Sequence, residues 1–164
     1  MTGVPPGRDV GELFARADIM DLMHRYCRSA DLGDVEQMVG CFAEDATIDL
    51  FGGAPGGMLH GSAALRELLA PLLGKVLAGS HYLANAEFRF TGADEAILHC
   101  YLYSMQRFAP GTDVPERHRW GRYEVRARRQ AGGWRIQDLR LFAASESGGD
   151  RAAEHADRPF PAVF

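Results

Sequence analysis

Near residue 80 the hydrophobic period of this chain changes, and that change restricts the fold more than any other feature. Before it, apolar residues recur at helical spacing. Ile19, Leu22, Met23, Tyr26, Cys27 and Ala30 share one face of a first segment, and Leu65, Leu68, Leu69, Leu72 and Leu73 form the stripe of a later one. After it the period is two, in stretches near 80–90, 95–107, 117–129 and 133–143. The turn-forming runs Thr91-Gly-Ala-Asp94, Pro110-Gly-Thr-Asp113 and Ala131-Gly-Gly133 separate them. Helices followed by a long antiparallel meander predict an α+β fold, in which a curved sheet closes over the helices and encloses a pocket.

Local signals subdivide this plan. The Gly- and Pro-rich start reads as a flexible arm over residues 1–10, and Asp9 or Gly11 begins a helix running to about Ala30. Asp34 caps a second helix from Val35 to about Phe42. Glu44 to Phe51 alternates as a strand, closed by the glycine-rich Gly52 to Gly57. Ser62 caps a third helix reaching about Leu77. The stretch 80–90 does not alternate cleanly, since Tyr82, Ala84, Ala86, Phe88 and Phe90 share one parity and His81, Leu83 and Asn85 the other. Either a bulge switches the faces, or both are buried, the second through oligomer contacts. One domain spans 11–144. The tail 145–164, ending Pro159-Phe-Pro-Ala-Val-Phe164, reads either as disorder or as an apolar flap over a pocket mouth.

Composition excludes several functions. At 164 residues and 46% hydrophobic content the chain suits a single globular domain. A formal charge of −4 gives no field for nucleic acid or an anionic membrane surface. Within the basic run 117–129, Arg119, Gly121, Tyr123, Val125 and Ala127 alternate with Trp120, Arg122, Glu124, Arg126 and Arg128, a strand with one solvated or partner-facing side. Lys75 is the one lysine, in an exposed-looking Gly-flanked segment, so Schiff-base chemistry is set aside. Cys27, Cys41 and Cys100 are odd in number and lie in apolar stretches, which points to reduced core thiols. With no leader and no run long enough to span a bilayer, the expected location is the cytoplasm. His118 with Glu116 is the one tight His/carboxylate pair of the strand region, a poor metal site, and no phosphate-cradling glycine loop occurs. No metal and no cofactor are expected.

A sparse polar set remains within the apolar segments: Tyr26, Asp31 and His81. Its plain reading is a buried aromatic, a cap for the next helix and a core histidine. Five helical residues turn through about 500°, so Tyr26 and Asp31 converge only if the first helix ends near Ala30. Tyr26-x4-Asp31-x-Gly33-Asp34, the run Phe42-Ala-Glu-Asp-Ala46, His81 opening the first long strand and Gly133-Trp-Arg-Ile136 together resemble the SnoaL-like branch of the nuclear transport factor 2-like superfamily, over roughly residues 12–143. The resemblance implies a cone-shaped α+β barrel and a homodimer or homotrimer.

Scytalone dehydratase, bile-acid 7α-dehydratase and hexachlorocyclohexane dehydrochlorinase look similar at Asp31 and His81, and the bile-acid enzyme also at Tyr26. The resemblance implies a histidine base held by an aspartate. Gln106 and Leu50 stand where scytalone dehydratase carries a histidine and a tyrosine, so that enzyme's own substrate is not implied. Imidazole suits proton removal beside a carbonyl near neutral pH, and a phenol aimed at the developing enolate oxygen would lower the barrier. The expectation is a lyase or cyclase acting on a small hydrophobic oxygenated metabolite, such as a polyketide, aromatic or steroid-like intermediate. His81 is the base, Asp31 its orienter and Tyr26 the oxyanion donor. Asn85, Gln106, Tyr123 and Arg140 are the polar lining, and Phe42, Leu50, Met105, Phe108 and Phe142 the apolar lining. The rivals are a ligand-binding protein or small subunit of a larger oxygenase, and an epoxide-opening hydrolase with Asp31 activating water.

Overall fold

A computed structural model describes residues 10–52, 57–112 and 116–147. Helices α1 (Val10–Leu32) and α2 (Val35–Val39) lead into strands β1 (Phe42–Asp49) and β2 (Met58–His60). Helix α3 (Ser62–Leu73) then precedes β3 (Val76–Gly92), β4 (Glu95–Phe108), β5 (Glu116–Gln130) and β6 (Gly133–Ser147). The six strands form one open sheet in the order β2-β1-β6-β5-β4-β3. Every neighbouring pair is antiparallel except β1 and β6, which run parallel. The expected α+β architecture is present, as helices packed on a mostly antiparallel sheet whose edges do not join.

The face read from the sequence of α1 is the buried one: Ile19, Leu22, Met23, Tyr26, Cys27 and Ala30 all lie in the core. They pack against Leu98, Cys100 and Leu102 of β4, Val125 of β5, and Ile136, Leu139 and Leu141 of β6. Two register shifts in the β5–β6 pairing bend the sheet, one at Trp120/Gly121. A Cβ on Gly121 would stand 2.4 Å from the Phe142 carbonyl oxygen, so only glycine permits this approach.

Several boundaries differ from the sequence reading. The first helix continues past Ala30 to Leu32 and stops at Gly33, whose φ of +70° is the left-handed C-terminal cap. The Asp34 amide donates to the Ser29 carbonyl at 2.9 Å, completing that motif. The second helix ends at Val39, so Phe42 opens β1 opposite Ile136 rather than closing a helix. The third helix ends at Leu73 because Gly74 caps it and β3 begins two residues later, and Gly61, not Ser62, is its N-cap. The short β2 was not anticipated. In β3 the bulge alternative holds: register shifts between Ala84 and Glu87, Asn85 takes φ +53°, and the inward parity passes from His81 and Leu83 to Phe88 and Phe90. The arm 1–9 and the tail beyond Ser147, with its flap reading, lie outside the described residues; Ser145 to Ser147 belong to β6.

Candidate active site

Register across β3, β4 and β5 builds the wall of the site. His81, Ser104 and Arg119 stand in one row, and Gly79, Gln106 and Arg117 in the next row of the same parity. Side chains two residues apart share a face, so these rows look inward together with Tyr123 further along β5. Helix α3 faces them with Leu68, Leu69, Leu72 and Leu73. Between them lies a cavity of about 210 Å³, completed by Tyr26, Ala30, Met38, Leu50 and Phe51.

Asp31 reaches the rim of this cavity from the last turn of α1. Its Oδ1 lies 2.5 Å from His81 Nδ1 and its Oδ2 accepts from the His81 backbone amide at 3.1 Å. One carboxylate thus fixes both the ring and the strand that carries it. With Nδ1 donating to Asp31, Nε2 holds the lone pair of the neutral ring. The His81 side chain is 8% exposed and that of Asp31 20%, so the pair is shielded on most sides. Gly79 makes this approach feasible: a Cβ there would meet the Asp31 Cα at 2.6 Å and Oδ1 at 2.8 Å.

The geometric condition set by the sequence is met in a different way. Since α1 runs on to Leu32, Tyr26 and Asp31 do not share a helix face; Asp31 turns toward β3 and holds His81, which in turn faces the cavity with Tyr26. Tyr26 is 3% exposed, edge-on to Phe42 and Tyr123 at ring separations of 5.6 and 6.0 Å. The Tyr26 and Tyr123 side chains interact across this edge-on contact. Burial pushes both phenols well above the ordinary tyrosine value, with the Arg119 charge acting weakly the other way. Both therefore stay protonated at neutral pH. Each hydroxyl therefore keeps a proton that a bound oxygen can accept.

Of the other expected lining residues, Gln106, Tyr123 and Leu50 border the cavity. Asn85 does not, because the β3 bulge carries it to the exposed side. Arg140 is also exposed, its parity on β6 opposite to that of the buried Leu139 and Leu141. Phe42 lies behind the Tyr26 ring, not on the cavity surface, and Met105, Phe108 and Phe142 do not line it either. Sequence reasoning missed a polar cluster on the cavity wall. Arg119 Nε donates to Glu146 Oε2 at 3.0 Å, Arg117 Nε lies 3.9 Å from Glu146 Oε1, and Arg117 Nη2 reaches Gln106 Oε1 at 3.4 Å. The signal was present, since Arg117 and Arg119 share the parity of the buried Tyr123, Val125 and Ala127. Among the described residues no group of three or more His, Cys, Asp or Glu side chains is arranged to hold a metal ion, and no helix is long and apolar enough to cross a membrane.

An open sheet folded over α1, with a histidine–aspartate pair at an apolar cavity, defines a protein of the nuclear transport factor 2-like α+β class. The family profile of the SnoaL-like domain matches residues 11–140, and the chain belongs to that family. Among solved structures, a candidate scytalone dehydratase from Novosphingobium aromaticivorans DSM 12444 superposes with a TM-score of 0.79 at 21% identity, covering 91% of this chain and 97% of that one. A candidate aromatic ring hydroxylase from N. aromaticivorans gives 0.75 at 27% identity, covering 86% and 97%. A hexachlorocyclohexane dehydrochlorinase, LinA type 2, gives 0.72 at 19% identity, covering 85% and 91%. No curated protein matches the sequence.

Proposed function

We propose that this protein is a lyase or cyclase that removes a proton beside a carbonyl in a compact hydrophobic metabolite without a cofactor. The observation that carries the reading is the 2.5 Å contact between His81 Nδ1 and Asp31 Oδ1 at the edge of an apolar cavity. In a dehydration, His81 Nε2 takes the proton from the α-carbon and the C–H electron pair moves into an enolate. Asp31 stabilises the imidazolium and holds its tautomer. The Tyr26–Tyr123 hydroxyl pair donates to the enolate oxygen. Collapse of the enolate expels the β-hydroxyl, which leaves as water on taking the proton back from His81. In a cyclisation the same enolate attacks a second carbonyl instead. The cavity, smaller than the ~300–1,000 Å³ usual for drug-sized ligands, favours a substrate of one or two rings. The dehydratase and dehydrochlorinase names among its structural neighbours agree with an elimination.

The test is incubation with β-hydroxy carbonyl compounds of one or two rings in deuterated water. Expected is an enone absorbance with the wild type, deuterium entering the α-carbon of recovered substrate, and neither with His81→Asn. Wild-type turnover by that variant would overturn the assignment. A second reading, a partner subunit of an oxygenase, is favoured by the name of the ring hydroxylase neighbour and by the exposed Tyr82, Tyr101 and Trp120. Native mass measurement separates them: the enzyme is a homodimer or homotrimer active alone, whereas the subunit co-purifies with a larger chain.

A further inference from the structure

The guanidinium of Arg119 is tied on one side and unclaimed on the other. Its Nε donates to Glu146 Oε2 at 3.0 Å, and the Glu146 side chain is 2% exposed. Among the described residues no acceptor takes its Nη groups. The neighbouring Arg117 is engaged differently, with Nη2 at 3.4 Å from Gln106 Oε1 and Nε at 3.9 Å from Glu146 Oε1. Because a guanidinium is planar, the bond that holds the Arg119 Nε also sets the direction of both Nη donors. The residue borders the cavity with its side chain 18% exposed. Tyr123 shares its parity on β5, and Tyr26 meets the Tyr123 ring edge-on. All three side chains offer hydrogens, and the lone pair opposite them is that of His81 Nε2. A ligand in this space therefore has to supply an acceptor oxygen. A carbonyl oxygen carries two lone pairs, enough for one phenol and one guanidinium N–H.

Position adds a second constraint. Arg119 and His81 occupy the same row of the sheet with Ser104 between them. Two strand spacings put their backbones about 10 Å apart, so both side chains converge on one small molecule. Removing a proton beside a carbonyl makes one charge of each sign and leaves the net charge of the cavity unchanged. The imidazolium forms against the Asp31 carboxylate, and the enolate oxygen needs a counterpart of its own. We propose that Arg119 is a further catalytic residue, donating an Nη hydrogen to the carbonyl oxygen that becomes the enolate oxygen. The C–H electron pair moves toward that oxygen and the proton passes to His81, while Arg119 keeps all of its protons. The contact strengthens as negative charge develops, so it lowers the barrier more than it tightens ground-state binding. This inference rests on the proton abstraction proposed above.

The experiment uses 1-tetralone, a neutral two-ring ketone with no β-hydroxyl to expel, and tetralin, the same skeleton without the oxygen. Infrared spectra of carbonyl-labelled tetralone bound to the wild type should show the C=O band moved to lower frequency than in hexane. Arg119→Gln reverses part of that displacement. By calorimetry the same variant weakens tetralone about tenfold, the loss of a hydrogen bond from a charged donor, and leaves tetralin within about twofold. His81→Asn keeps both the band and the affinities, so failure of the base assignment reads separately from failure of this inference. In the dehydration assay Arg119→Gln lowers kcat on the order of 10²-fold with a smaller change in KM. Should the lone Glu146 carboxylate prevent that variant from folding, Arg119→Gln/Glu146→Gln leaves neither charge unpaired and serves for the same readings. An unchanged carbonyl band in the arginine variant, equal losses for tetralone and tetralin, no tetralone binding by the wild type, or wild-type kcat without Arg119 would each overturn the inference.

Discussion

His81 and His118 each lie at hydrogen-bond distance from a carboxylate, 2.5 Å from Asp31 and 2.7 Å from Glu116 respectively. Their surroundings are opposite. His81 is level with Ser104 on β4, whereas His118 is level with Met105, one residue out of step. Because side chains alternate, that single step puts the two rings on opposite faces of the sheet. The His81 ring borders the cavity, while His118 is 29% exposed, stacked on Trp120, and takes a 2.9 Å contact from the Tyr103 hydroxyl. The carboxylates differ too. Glu116 is two residues from His118 on the same strand, and Asp31 is fifty residues from His81 on a helix. A histidine beside a carboxylate is common chemistry; an enclosed apolar space with phenols aimed into it distinguishes the inner pair. An exposed ion pair of the outer kind contributes only ~0–1 kcal/mol.

Substitution at the two rings gives the largest contrast. His81→Asn lowers kcat on the order of 10⁴-fold, the upper range for a general base, and Asp31→Asn about 10³-fold. His118→Asn and Glu116→Gln leave it within about twofold, since both side chains lie on the face of the sheet away from the cavity. Comparable losses on both faces, in steady-state assays of purified protein, would break the comparison. The phenols come next. Tyr26→Phe costs about 3 kcal/mol of transition-state stabilisation, near 10²-fold in kcat, whereas Tyr103→Phe on the outer face does not change it.

Glycine positions test how the inner pair is assembled. Gly79→Ala drives a methyl into Asp31 and is expected to lower unfolding free energy by about 1–3 kcal/mol, with a fall in kcat as the carboxylate retreats. Gly92→Ala, at a position where a Cβ meets nothing within 4 Å, is the control in the same denaturant titration.

The smallest effect concerns alkaline pH. Burial pushes the Cys41 thiol up to about 11 and the Cys100 thiol up to about 12, from 9.0. Well below pH 9 both states hold these protons and the thiols add no pH dependence. Above it the unfolded chain releases them while the folded core does not, so stability falls as pH rises toward the folded values, by about 1 kcal/mol per thiol near pH 10. Urea midpoints between pH 7 and 10.5 should decline, less steeply for Cys100→Ala. An unchanged slope would remove that thiol from the effect.

The helix face of α1, the strands of the meander and the turns between them were legible because each is written as a local period. Element ends were not. Gly33, Gly40 and Gly74 stop or reshape helices according to which backbone lies nearby: the Leu73 carbonyl would be 2.5 Å from a Cβ on Gly33, a contact between segments forty residues apart in sequence. Asn85 and Arg140 were placed at the cavity because strand parity was carried across a bulge in the first case and not applied in the second. Arg119 was grouped with Tyr123, Val125 and Ala127 by strand parity, yet it was not carried to the cavity wall.

By itself the sequence determined the class of fold, the buried face of α1 and the three polar residues worth watching, since periodicity and residue chemistry are local properties. Only the tertiary structure decided which carboxylate meets which histidine, that Asp31 serves β3 rather than capping α2, and that two arginines backed by Glu146 line the cavity. Those outcomes depend on register, bulges and glycine contacts between segments far apart in the chain, and such contacts leave no period in the sequence to read.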